Sequence, residues 1–190
     1  NNSKGCGGIM RVAPMALLDA GYASRNENTY SLEELAEAGG EIAECTHKHP
    51  LGFLPASLLT VLLYKIVPMT AKQVQDEIDS IVADTVNVLD RIYKGKYDAD
   101  KRYLKELTKK AVRLAHSDIS DADAIRQLGE GWVAEETWAI ALYCAIRHID
   151  SVEDAIIASV NHDGDSDSTG SVCGNIMGAI YGYEHIKERN

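Results

Sequence analysis

The sequence predicts an all-α, single-domain protein with its helices packed orthogonally. Three observations carry this. Apolar residues recur at the steps of three and four that mark one face of a helix. No stretch alternates with the period of two that a half-buried strand requires, and no linker is long enough to divide the chain. At 190 residues the chain can bury one core, so residues 1–190 read as one domain.

The elements follow in order. The opening "GCGGIMRVAP" puts Gly7 and Gly8 in a turn ahead of a helix that begins near Ile9. Ser31 with Glu34 makes a capping box for a helix running to about His47, and Thr70 with Gln73 makes a second one. Behind Thr70, residues such as Val74, Ile78, Val82, Thr85 and Leu89 form a single apolar stripe, the pattern of a helix lying on the surface. Asp118, Asp121 and Asp123 read as a helix-start cluster with capping roles. Residues 135–148, "EETWAIALYCAIRH", are apolar almost all round, as a central helix is. Ser151 and Asp154 cap a short helix ending near Val160. The last helix runs from about Ser168 to Glu184 and places Gly170, Gly174, Gly178 and Gly182 on one face. Each interior glycine costs up to about 1 kcal/mol against Ala, so the stripe implies either tight packing or a neighbouring backbone at very close range. The breaks between helices fall at "NENTY", "KIVPMT", "YKGKYDAD", "SDISDAD" and "LGEGW".

Composition narrows the partners. With 19 Lys plus Arg against 29 Asp plus Glu, the formal charge is −10. That argues against nucleic acid or an anionic membrane as partner, because both need a concentrated basic patch. No run of apolar residues is long enough to span a bilayer and no basic-then-apolar leader opens the sequence, so a soluble, cytoplasmic protein is expected. Cys6, Cys45, Cys144 and Cys173 form no C-x-x-C pair and are expected to be reduced and mostly buried.

One stretch stands apart. "NHDGDSDSTG", residues 161–170, gathers Asp163, Asp165 and Asp167 with hydroxyl residues at the start of a helix. Such a cluster repels itself unless protons or a cation compensate, and carboxylate and hydroxyl oxygens suit a hard divalent ion. A helix cap uses one or two such residues, and here there are six. An EF-hand reading fails at Ser168, where glycine is required, and at Gly174, where a bidentate Glu is required. A D-x-D-x-T phosphatase reading matches Asp165, Asp167 and Thr169 but needs a parallel-sheet strand before the motif and a long downstream stretch carrying a lysine and further acids, whereas only 21 residues follow Thr169.

A third pattern covers far more of the chain. "GCGGIMRVAP", "CTHKHPLG", "GWVAEETWAIALYCA" and "VNHDGDSDSTGSVCGNIMGAIYG" together resemble, in order, the C-terminal two-thirds of an ADP-ribosylglycohydrolase. The resemblance implies an all-α hydrolase that removes ADP-ribose from modified side chains or related conjugates, using a pair of divalent cations, Mg²⁺ or Mn²⁺. It implies Asp165, Asp167 and Ser168 as metal ligands, and Gly7, Gly8 and His47 as contacts to ADP-ribose. For the glycines there is also a physical reason: a Gly-rich turn lets backbone approach a diphosphate. Without the family, His47 reads equally well as a cation at a helix C-terminus. Trp132 either lines the pocket or packs in the core, and His162 adjoins the loop as a residue that could orient a ligand.

The resemblance also implies that the family's remaining metal ligands, a Thr-Asp-Asp run, and its general acid or base lie in an N-terminal segment ahead of these residues. No substitute run occurs here, so the catalytic group is unassigned and the domain is expected to be truncated or split. Three readings follow: a hydrolase completed by a complementary N-terminal fragment, which is favoured; a module that binds ADP-ribose or ADP-ribosylated protein without hydrolysis; and a structural remnant whose acidic loop holds one ion.

Overall fold

The computed structural model describes residues 1–25 and 29–187, without the side chains of 184–186. Part of the expected "NENTY" break, Asn26 to Asn28, lies outside them. Among the described residues the chain forms a 3-10 helix (Cys6–Arg11) followed by α1 (Ala13–Ser24), α2 (Leu32–Glu44), α3 (Pro50–Ile66), α4 (Ala71–Ile92) and α5 (Asp98–Ala115). Then come α6 (Asp121–Leu128), α7 (Ala134–Arg147), α8 (Val152–Val160) and α9 (Ser166–Lys187). The one extended pairing among them is an isolated antiparallel bridge between Gly5 and Val133. No helix among the described residues is long and apolar enough to cross a membrane.

Two helices form the interior. α7 is buried along nearly its whole length, as its all-round apolar sequence demands. α3, which no cap or stripe marked in the sequence, is buried just as completely. The others wrap these two, with α1, α2 and α4 against α3, and α5, α8 and α9 against α7. Trp138 of α7 is fully buried and satisfies its indole N–H by donating to Thr108 Oγ1 at 2.9 Å. Both expected capping boxes form, at Ser31/Glu34 and Thr70/Gln73. The Ser151 hydroxyl accepts the Asp154 N–H, and α4 buries one stripe.

The structure corrects several expectations. α2 ends at Glu44 rather than near His47, because the chain turns there toward the N-terminal segment. Ser120, not an aspartate, caps α6, and Asp121 instead accepts from Tyr143 Oη at 2.6 Å and pairs with His148 Nε2 at 3.0 Å, locking α6 to α7. Of the cysteines, Cys144 and Cys173 are buried, Cys6 is half-buried and Cys45 is exposed.

The glycine stripe of α9 is not a close backbone contact. A Cβ at Gly178 would meet nothing within 4 Å, and one at Gly174 would meet only Ile156 Cδ1 at 3.7 Å. Gly182 leaves the helical conformation altogether at φ 76°. Within the stripe only Gly170 is tight, with Val160 Cγ1 2.6 Å from where a Cβ would stand. The close helix contact lies elsewhere, between α2 and α3, where a Cβ on Gly39 would fall 2.2 Å from Thr60 Oγ1.

Candidate active site

The two segments singled out from the sequence meet. The Cys6 thiol donates to Asp165 Oδ2 at 2.8 Å across 159 residues of chain. Ser168 Oγ reaches the same sulfur at 3.3 Å and Met10 Sδ at 3.1 Å. Burial and the hydrogen bond to Asp165 push the Cys6 thiol up, so it stays protonated as a donor to the carboxylate.

On the acidic side, α9 begins at Ser166, two residues earlier than the sequence suggests. The first turn closes on Asp165, whose carbonyl accepts the Thr169 N–H at 3.2 Å. Asp165 and Ser168 are buried, while Asp163 and Asp167 are exposed. Burial alone would raise the Asp165 carboxyl, but hydrogen bonding with Asp167, Cys6 and Ser168 outweighs it and holds the group below the usual carboxylate range. Among the described residues no Lys, Arg or His forms an ion pair with these three aspartates.

The donor set can be tested against a cation on these grounds. Two carboxyl groups and a hydroxyl are hard oxygen donors, which suits Mg²⁺ or Mn²⁺. They fit only a share of the roughly six oxygens that one such ion takes. Among the described residues no group of three or more His, Cys, Asp or Glu side chains is gathered for a metal. Asp163 is not among the groups that hydrogen-bond to the Asp165 carboxylate.

The loop is held in place from behind. The Asp165 N–H donates to the Glu130 carbonyl at 2.7 Å. At Gly164 the same carbonyl lies 1.9 Å from where a Cβ would stand, so no larger residue fits without moving the turn. His162 Nδ1 accepts the Gly164 N–H at 3.1 Å, which leaves the ring proton on Nε2 to be donated to Thr169 Oγ1 at 2.8 Å. His162 thus shapes the loop through Gly164 and Thr169, not through the three expected ligands.

On the other side, Gly7 and Gly8 lie inside the 3-10 helix rather than ahead of a helix starting near Ile9, and the α-helix proper begins at Ala13. Gly8 is buried, with the Gly52 carbonyl 3.0 Å from its absent Cβ, whereas Gly7 is exposed in the first turn, where helix N–H groups lack intrahelical partners. The His47 ring packs on both: it lies 3.4 Å from the Cβ position of each glycine. Burial and the Arg11 charge lower the His47 imidazole, and Thr46 Oγ1 lies 2.7 Å from its Nδ1. A neutral ring replaces the helix-end cation that the sequence left open. Arg11 takes that place instead, donating to the carbonyls of Ile42 at 2.7 Å and Ala43 at 3.3 Å at the end of α2.

Trp132 is 57% exposed, which removes it from the core, and its carbonyl accepts the Cys6 N–H at 3.3 Å. The sequence reading missed Cys6, Glu130 and Arg11 because each acts through a partner distant in the chain, and no local pattern marks such a contact.

Comparison with known proteins follows the same line. The ADP-ribosylglycohydrolase family profile matches residues 1–190. The ADP-ribosylhydrolase ARH3 of Homo sapiens is 25% identical over 202 residues, covering 98% of this chain and 52% of its own length. The Mus musculus ADP-ribosylhydrolase ARH3 is 26% identical over 202 residues, covering 98% of this chain and 51% of its own. The chain thus spans about half the length of the curated relatives it matches, less than the two-thirds that the motifs suggested.

Proposed function

We propose, since the chain belongs to the ADP-ribosylglycohydrolase family, that it forms one wall of a site that binds ADP-ribose and takes part in hydrolysing its bond to a modified side chain. The observation that carries this is the meeting of the glycine turn and the acidic loop at Cys6 and Asp165.

Gly7, with the His47 ring beside it, offers a first-turn N–H to the diphosphate. The neutral His47 ring beside it supplies a hydrogen bond to phosphate or ribose rather than a charge. Asp165, Asp167 and Ser168 would hold a share of the shell of two divalent cations, Mg²⁺ or Mn²⁺. Such ions, when bound, supply Lewis-acid polarisation and orient ribose hydroxyls and a water. The negative charge that Asp165 and Asp167 share also favours the positive charge that develops on the ribose ring in an oxocarbenium-like transition state. The general acid or base and the remaining ligands would come from polypeptide beyond these residues, whether in the same protein or as a complementary fragment.

A second reading, ADP-ribose binding without hydrolysis, is favoured by the small donor set of two carboxylates and one hydroxyl. Calorimetry of the chain with ADP-ribose, with and without Mg²⁺, tests both: heat with the nucleotide is expected, and silence with both ligands sinks both readings. Release of free ADP-ribose from an ADP-ribosylated peptide then separates hydrolysis from binding. In the same titration Asp167→Ala should abolish the Mg²⁺ heat and leave thermal unfolding unchanged, because the side chain is exposed. Loss of cooperative unfolding in that variant would make the ion structural.

A further inference from the structure

The structure assigns Glu136, with Thr137 beside it, as the pair that positions Asp165 through the intervening turn 129–132; the assignment rests on the cation reading above. Glu136 Oε2 accepts two successive backbone N–H groups, those of Glu130 and Gly131, each at 3.1 Å. Thr137 Oγ1 donates to the Gly131 carbonyl at 2.7 Å. The first turn of α7 therefore grips the turn at both its N–H groups and a carbonyl, in a backbone shape that includes φ +83° at Gly131.

The gripped turn in turn holds Asp165 at two points. Its Glu130 carbonyl takes the Asp165 N–H at 2.7 Å. Its Trp132 carbonyl takes the N–H of Cys6, whose thiol donates to Asp165 Oδ2. Gly131 lies flat against the loop, with Asp165 O 3.3 Å and Thr169 Cγ2 2.9 Å from its Cβ position. Backbone and carboxylate of Asp165 are thus both referred to one turn, and that turn to Glu136 and Thr137. The hydrogen bonds of both side chains go to residues 130, 131 and 133 rather than to the loop, so their effect is on where Asp165 points.

The test is Mn²⁺ binding by the purified chain, read from the electron paramagnetic resonance of the free ion, with the unfolding transition of the ion-free protein measured alongside. Glu136→Ala should weaken Mn²⁺ binding by about 10- to 100-fold, the range for partners that orient a ligand, while the ion-free protein keeps a cooperative transition. Glu136→Gln, which keeps an acceptor oxygen, should restore affinity close to wild type. If Glu136→Ala does not fold, Thr137→Val, which keeps the shape and removes the hydroxyl, is read in its place. Wild-type affinity in the readable variant overturns the assignment while leaving the cation reading standing. Failure of the unmutated chain to bind Mn²⁺ overturns both.

Discussion

The glycine-turn wall and the acidic wall of the site are built by different means. The first is held mainly by packing: Gly8 against Gly52 and Ala43, with His47 laid over the turn and Arg11 tied to the end of α2. The second is held by a relay of hydrogen bonds, from α7 through the turn at Glu130 to Asp165. Close packing punishes any added atom but needs no polar partner. A relay is sensitive to each acceptor, because a buried N–H left unpaired costs about 1–3 kcal/mol. The glycine turn should therefore be sensitive to added atoms and the relay to lost acceptors, with Gly164, where the acidic loop is itself packed on the turn, sharing the first weakness.

Four changes press on that contrast. The largest effect is expected for Gly164→Val, where the Glu130 carbonyl blocks the Cβ position at 1.9 Å. We expect it to destabilise by at least about 3 kcal/mol in urea unfolding, and near-wild-type stability would show that the two turns slide apart at little cost. Gly8→Ala comes next, since its neighbours at 3.0 and 3.1 Å must give only slightly. A loss of about 1–2 kcal/mol is expected, and no loss would mean that the packed wall is looser than the relay. Gly178→Ala has the opposite sign. With nothing within 4 Å of the new methyl group, the variant should gain about 0.5–1 kcal/mol from helix propensity, and a loss would restore the glycine face of α9 as a contact surface.

The smallest effect concerns pH. The His47 imidazole is lowered in the folded protein, so below its ordinary value of 6.5 the unfolded chain takes up the proton first. Stability should be fully present above that value and decline as pH falls through it toward the folded value. Thermal unfolding across that window should show the decline, and His47→Gln should flatten it. An unaltered slope in the variant would place the titration elsewhere.

The parts of the fold and site that were legible share one property. The capping boxes at Ser31 and Thr70, the stripe of α4, the all-round apolar α7 and the density of oxygens near Asp165 each lie within a few residues of chain. The glycines show where that stops. A stripe on α9 read as a contact surface and is mostly open, while Gly39 makes the close approach to Thr60 with no periodic signal at all. Spacing reports which residues share a face and says nothing of what lies opposite it.

The sequence by itself determined that the chain is all-α, that α7 is central and α4 superficial, and which side chains could suit a hard cation and a diphosphate, because helix period, capping and donor chemistry are local properties. Only the tertiary structure decided that the two candidate segments meet. Their meeting is a thiol–carboxylate hydrogen bond across 159 residues, held by a turn that α7 grips, and such a contact exists only once distant helices have packed.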